Sequence, residues 1–246
     1  MPMPRLRIFA GPNGSGKSTI KDQIAPNLIA TYVNADDIEK SVKATGFLDL
    51  TTFNLCTTAA KLHEFLDTHP LIEKAGLQEQ VKTISLEGQR IDFRAVNMNS
   101  YYSSVISDFI RHKLLDRMES FTFETVMSSP DKVSFMKLAQ QRGYRTYLYF
   151  VATESVEINI NRVANRVDDG GHPVPEDKIR QRYKRSLELL PSAVSTSNRA
   201  YTFDNSGEKS VCLAEITEGT DLQYRVEDMP DWFMEQYVDK VIGANG

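Results

Sequence analysis

Cysteine is nearly missing from this chain, which has two in 246 residues, Cys56 and Cys212. They stand far apart and without metal-ligand spacing, which excludes a disulfide-stapled scaffold and a zinc site. Both read as buried small hydrophobes. Long apolar runs are missing too. No stretch approaches the roughly 18 uninterrupted apolar residues of a membrane-crossing helix, and the N-terminus has no apolar signal core. A cytoplasmic protein with no membrane partner is the expectation. Positive charge is not in excess: 29 Lys and Arg face 33 Asp and Glu, a formal net charge of −4, so no global basic field exists to hold a nucleic acid. Tandem repeats and low-complexity tracts are absent. The length fits one elaborated α/β domain over residues 1–246, able to bury about 70–75% of its unfolded surface.

What is present begins at residue 11. The segment Gly11-Pro12-Asn13-Gly14-Ser15-Gly16-Lys17-Ser18-Thr19 follows the apolar run Leu6–Ala10 and opens a helix-like stretch. It meets G-x-x-x-x-G-K-[ST] in full, the pattern of a P-loop that binds ATP or GTP. Its backbone N–H groups turn inward around phosphate oxygens, and the helix that follows adds its positive end. Lys17 supplies a point charge for the β- and γ-phosphates, and the Ser18 hydroxyl is placed to ligate Mg²⁺.

Short apolar runs recur at Leu6–Ala10, Thr31–Asn34, Phe121–Val126, Thr146–Val151 and Ala200–Asp204, with amphipathic stretches between most of them. That alternation predicts a parallel sheet with helices on both faces. Ligands of such folds collect at the carboxyl ends of the strands, so the segments after the strands become suspects: the P-loop, Asn34–Asp37, Glu124-Thr125 and Asp204–Ser206. Residues 67–99 interrupt the alternation and read as an inserted helix and hairpin, with a turn at Glu87-Gly88. Ser100 is the expected N-cap of a helix from Tyr101 to about Met118. An added tail begins at about residue 218.

Arg162 and Arg166 are four apart and share a helix face. A Gly- and Pro-rich loop follows them, then a second basic helix near Glu176. The segment at about 162–182 therefore reads as a lid whose arginines could reach the γ-phosphate, guanidinium forks suiting phosphate oxygens better than ammonium does. A solvated basic surface is the alternative, more so for Arg180, Arg182 and Arg185.

Taken together, FAGPNGSGKST, VNADDI, FTFETVMS, RGYRTYLYFV, NRVANRVDDGGHPVPEDKIRQRYKRSLELL and FDNSG resemble the zeta toxin family of P-loop small-molecule kinases, over roughly residues 6 to 215. The resemblance implies a nucleoside-kinase-like P-loop NTPase fold. It also implies transfer of a phosphoryl group from ATP or GTP, with Mg²⁺, to a hydroxyl of a sugar nucleotide, which is UDP-N-acetylglucosamine in the best-known members. An antitoxin protein is an implied partner. By the same resemblance Asp36 takes the position of the carboxylate that accepts the hydroxyl proton, with Asp37 its neighbour and rival. One of the two would otherwise cap the helix expected near Ile38. Glu124 corresponds to the family's acceptor-site carboxylate, holding substrate hydroxyls or supporting Mg²⁺, with Thr125 positioning it, and His172 corresponds to a lid cation. Asp204 and Asn205 are expected to turn the chain near the nucleobase.

Two other classes remain open on the residues. A nucleotide-driven switch would want an apolar strand ending in paired acids, and FTFE offers one. A kinase of nucleic-acid ends runs against the acidic balance.

Overall fold

The structure of the protein is a computed structural model that describes residues 3–168 and 173–243. Its strands are β1 (Arg5–Ala10), β2 (Thr31–Val33), β3 (Phe47–Asp49), β4 (Ser85–Glu87), β5 (Arg90–Asp92), β6 (Phe121–Thr125), β7 (Arg145–Ala152), β8 (Arg199–Asp204), β9 (Val211–Thr217) and β10 (Asp221–Tyr224). The chain divides into two compact units, one of Met1–Ala30 with Glu124–Gly246 and one of Thr31–Phe123. The boundary falls inside β6.

In the first unit β1 pairs with β7 and β7 with β8, both parallel, with Ile8 opposite Leu148 and Leu148 opposite Ala200. Strands covered on both faces read as continuous apolar runs, and Leu6, Ile8, Leu148, Phe150 and Ala200 are fully buried. On the other face Phe9 stacks on Tyr149 at 4.8 Å and Tyr149 on Tyr201 at 5.1 Å, with Ile20 and Val151 packed beside them. The expected parallel sheet holds for these three strands. Beyond them β9 runs antiparallel to β8, and β10 antiparallel to β9. The 205–210 connection is too short for the crossover that a parallel partner requires. The tail after β10 carries Trp232, Phe233, Tyr237 and Val238 into the core, and burial pushes the Tyr237 hydroxyl up to about 12.

In the second unit β2 pairs in parallel with β6, Thr31 opposite Phe121. The helices Ala35–Thr45 and Ser100–Asp116 pack together. The expected hairpin of the insert is β4–β5, but it is joined by β3 from outside 67–99, making a three-stranded sheet in the order β3-β5-β4. Three residues of β3 are too few to show a period in sequence.

Three local expectations are corrected. The long helix is capped by Asn99, not Ser100: Asn99 Oδ1 accepts from the backbone N–H groups of Tyr101 at 2.9 Å and Tyr102 at 3.3 Å. Neither Asp36 nor Asp37 caps the earlier helix, which starts at Ala35 because Asn34 Oδ1 accepts from Asp36 N at 2.9 Å. In both cases an asparagine further upstream, one residue before Ser100 and two before Asp36, has extended backbone and a short acceptor side chain, which is what a cap needs. Cys56 is exposed, in the stretch following the turn Leu50–Phe53, and Cys212 is half-buried. Among the described residues no helix is long and apolar enough to cross a membrane.

Candidate phosphate-binding site

The sharp turn out of β1 is made by Gly11, at φ 141. A Cβ there would lie 1.9 Å from the carbonyl oxygen of Val151, so strand β7 leaves room for glycine alone. Ser15 N donates to Pro12 O at 3.3 Å and closes the loop, and the helix Lys17–Asp22 follows. Lys17, 7% exposed, folds back over the loop, its Nζ donating to Gly11 O at 3.0 Å and Pro12 O at 2.9 Å.

Glu124, from β6, meets the two residues that the motif singles out. Ser18 Oγ donates to Glu124 Oε2 at 3.4 Å, and Lys17 Nζ stands 3.9 Å from Glu124 Oε1. Thr125 turns the other way: its Oγ1 accepts from Met127 N at 3.1 Å, supporting a Met127 held at φ 53. Ser18 and Thr19 are exposed.

The helix Val156–Asp168 approaches the same loop. Asn159, fully buried, donates from Nδ2 to Asn13 O at 2.5 Å and accepts from Thr153 Oγ1. Tyr183 donates to Thr153 O at 2.6 Å, and burial pushes its hydroxyl up to about 12. One turn beyond Asn159, Arg162 donates from Nη1 to Asn205 O at 2.7 Å and from Nη2 to Ser206 O and Gly207 O, both at 3.4 Å. Arg166 is exposed on that helix. Arg180 on the helix Glu176–Ser195 pairs at 2.8 Å with both Glu157 and Glu176, which lowers the Glu157 carboxyl chiefly through the Arg180 hydrogen bond. The centre of the expected lid, including His172, lies outside the described residues. Asp36 belongs to the second unit, exposed in the first turn of the helix Ala35–Thr45.

Two polar atoms in the loop have no hydrogen-bond partner among the described residues although both are buried: Asn13 Oδ1 and Ser15 Oγ. Leaving such groups unpaired costs about 1–3 kcal/mol each. The Ser15 hydroxyl can donate to a phosphate oxygen, and Lys17, whose ammonium donates to two neutral carbonyls and approaches one carboxylate, adds positive charge, so the loop suits a polyanion. The Ser18 hydroxyl and the Glu124 carboxylate are oxygen donors of the type that Mg²⁺ takes. Elsewhere in the first unit a cavity of about 620 Å³ is lined by Tyr224, Val226, Glu227, Met229 and Met234. It is mostly apolar and open and none of these side chains is cationic, so the chemistry favours the loop over the cavity.

Sequence reading pointed to Lys17, Ser18, Glu124 and Arg162 but missed Asn159, and it gave Asn205 a different task. A lone asparagine on a helix carries no spacing signal; its importance appears only when the fold sets it against a carbonyl.

The zeta toxin family model matches residues 92–212, a span that includes Glu124, Arg162 and Asn205 but begins after the P-loop. An uncharacterized protein of Haemophilus influenzae is 32% identical over 72 residues, which cover 29% of this chain and 51% of that protein. Among solved structures, the complex AvrRxo1-ORF1:AvrRxo1-ORF2 with sulphate ions matches at a TM-score of 0.53 and 13% identity, over 91% of this chain and 61% of that one. The chain thus spans about half of the first relative and under two thirds of the second. The PezAT chromosomal toxin-antitoxin system of Streptococcus pneumoniae matches at a TM-score of 0.48 and 13% identity, over 97% of this chain and 80% of that one.

Proposed function

We propose that the chain is a P-loop kinase of the zeta toxin type, whose family model matches residues 92–212, and that it transfers the γ-phosphoryl group of ATP or GTP to a hydroxyl of a sugar nucleotide, of which UDP-N-acetylglucosamine is the first to test. The observation that carries this reading is the meeting of Lys17, Ser18 and Glu124 at the mouth of the loop. Phosphoryl transfer asks a protein chiefly to align donor and acceptor and to neutralise charge on the phosphoryl oxygens.

In this reading the loop of residues 11–19 holds the β- and γ-phosphates through the backbone N–H groups of its non-proline residues. Lys17 exchanges its two carbonyl partners for phosphate oxygens. The Ser18 hydroxyl and the Glu124 carboxylate would hold Mg²⁺, which would supply positive charge against the phosphate oxygens. Asp36 acts as base, its side chain left exposed because Asn34 does the capping. The acceptor O–H bond breaks and its proton passes to the Asp36 carboxylate. A P–O bond forms to the acceptor oxygen while the bond from the γ-phosphorus to the bridging oxygen breaks, leaving the nucleoside diphosphate. Thr125, the residue after Glu124, is read as an acceptor-side partner of that carboxylate through its hydroxyl O–H, its Oγ1 accepting from Met127 N. Arg162 and Arg166 supply guanidinium charge, Arg166 from an exposed position on its helix. A cognate antitoxin protein is the proposed macromolecular partner.

The test is to incubate the purified chain with ATP, Mg²⁺ and a panel of nucleotide sugars and to follow each by mass spectrometry. A gain of one phosphoryl group on a sugar nucleotide supports the reading. Acceptor-independent release of phosphate would make the protein a nucleotide switch, and salt-sensitive phosphorylation of oligonucleotide ends would make it a nucleic-acid kinase.

A further inference from the structure

The loop at the end of β8 is tied to the P-loop on one side and to the C-terminal extension on the other. Asn205, 8% exposed, donates from Nδ2 to Ser15 O at 2.8 Å. The contact is close: Gly16 stands at φ 90, and a Cβ on it would lie 2.0 Å from that same nitrogen. A phosphate-binding loop that aims its N–H groups inward must turn carbonyls outward, and those carbonyls need donors once buried. Asn205 is the donor for Ser15.

Asn205 is itself held from every side. Its N–H donates to Ala152 O at 2.9 Å, and its carbonyl accepts the 2.7 Å bond from Arg162. The preceding residue, Asp204, accepts from Ser206 N at 2.9 Å and from Ser206 Oγ at 2.8 Å. Asp204 Oδ2 also accepts at 2.7 Å from Nε1 of Trp232, a 5% exposed side chain supplied by the segment after β10.

We infer that Asn205 is a positioning residue for the P-loop, and that Arg162 and the C-terminal Trp232 hold it in place, so that the tail of the chain takes part in nucleotide binding without touching the nucleotide. The inference rests on the P-loop reading above and deepens it. It adds a role to the turn expected at Asp204-Asn205: the Asn205 amide serves the loop backbone. The chain Trp232–Asp204–Asn205–Ser15 transmits position only. No proton or charge moves along it.

Three full-length variants test this, with ADP and Mg²⁺ as the probe. Asn205→Ala leaves Ser15 O without its donor and should weaken ADP binding about tenfold, the equivalent of one lost buried hydrogen bond. Asn205→Asp sets a carboxylate against that carbonyl and should weaken it further. Trp232→Phe keeps an aromatic ring against Phe233, now 5.6 Å from Trp232, and removes only the N–H; it should weaken binding by about threefold to tenfold. The melting temperature without nucleotide should fall by no more than about 2–4 °C in Trp232→Phe, while the gain in melting temperature on adding ADP shrinks. A purely structural role predicts the opposite: lowered melting temperatures with ADP affinity intact in the folded protein. Wild-type affinity in Trp232→Phe and in whichever Asn205 variant folds overturns the inference. If the wild type binds no ADP, and Lys17→Ala is indistinguishable from it, the P-loop reading has failed and this inference falls with it.

Discussion

Ser18 Oγ donates to Glu124 Oε2 across 3.4 Å, and the same carboxylate stands 3.9 Å from Lys17 Nζ. A carboxylate at the mouth of an anion site opposes a bare phosphate and favours one that arrives with a cation. On the proposed kinase reading, the same group should favour Mg²⁺-bound nucleotide over free nucleotide.

Glu124→Gln isolates that effect. Removing the charge should tighten binding of ADP without Mg²⁺, raise the Mg²⁺ concentration needed for transfer, and lower the rate of transfer by about 10²-fold. Calorimetry with and without Mg²⁺, alongside a metal titration of activity, reads all three. Unchanged metal dependence would assign Glu124 to the acceptor instead.

Lys17→Ala should abolish transfer, since it removes the charge meant for the β- and γ-phosphates. The ammonium also bonds two loop carbonyls, so a fall in stability of about 1–2 kcal/mol is expected in a chemical denaturation curve. Near-normal turnover would sink the P-loop assignment.

Arg162→Ala and Arg166→Ala should separate. Arg162 grips three carbonyls next to the residue that braces the loop, so its loss should raise KM for ATP and lower kcat together. Arg166 is exposed, and if it supplies charge to the transferring group its loss should lower kcat with KM nearly unchanged. Steady-state kinetics decide; unchanged kcat in both leaves them as structural or surface charges.

Asp36→Asn should preserve nucleotide affinity and cut transfer by about 10²–10⁴-fold, as loss of a positioned general base does. Asp37→Asn should be far milder. The reverse pattern places the base one residue further on.

Tyr183 provides a pH test that does not depend on activity. Its hydroxyl is raised from 10.0 to about 12, mainly by burial, so the folded state holds the proton more tightly than the unfolded one. Its contribution is fully present below about pH 10 and is lost as pH rises toward about 12. Tyr183→Phe should lose the bond to Thr153 O, at about 1 kcal/mol near neutrality, and show a shallower fall in stability over that alkaline window. Parallel curves would show that this hydroxyl does not govern the window.

How much was legible in sequence is clearest at the P-loop. Gly11 to Thr19 could be read because backbone geometry and the chemistry of phosphate impose residue types at fixed offsets along one short segment. The parallel strands β1, β7 and β8 were legible for a similar reason, since burial on both faces writes a continuous apolar run. Strands β9 and β10 were not: an antiparallel edge, half covered and rich in polar residues, has no such signature. Asn34 and Asn99 took the caps expected of Asp36, Asp37 or Ser100 because several short polar side chains in a row are nearly equal caps, and the backbone at one position chooses between them.

The sequence by itself determined the loop, the lysine and hydroxyl it carries, and the α/β class, because each of these is written in local spacing. Only the tertiary structure decided that Glu124, 106 residues from Ser18 along the chain, answers it, that Asn205 holds Ser15 from 190 residues away, and that Trp232 returns to hold Asp204. Those partners are single polar side chains whose own segments carry no pattern. What selects them is the need of buried carbonyls and hydroxyls for a partner once the strands bring distant segments within about 3 Å.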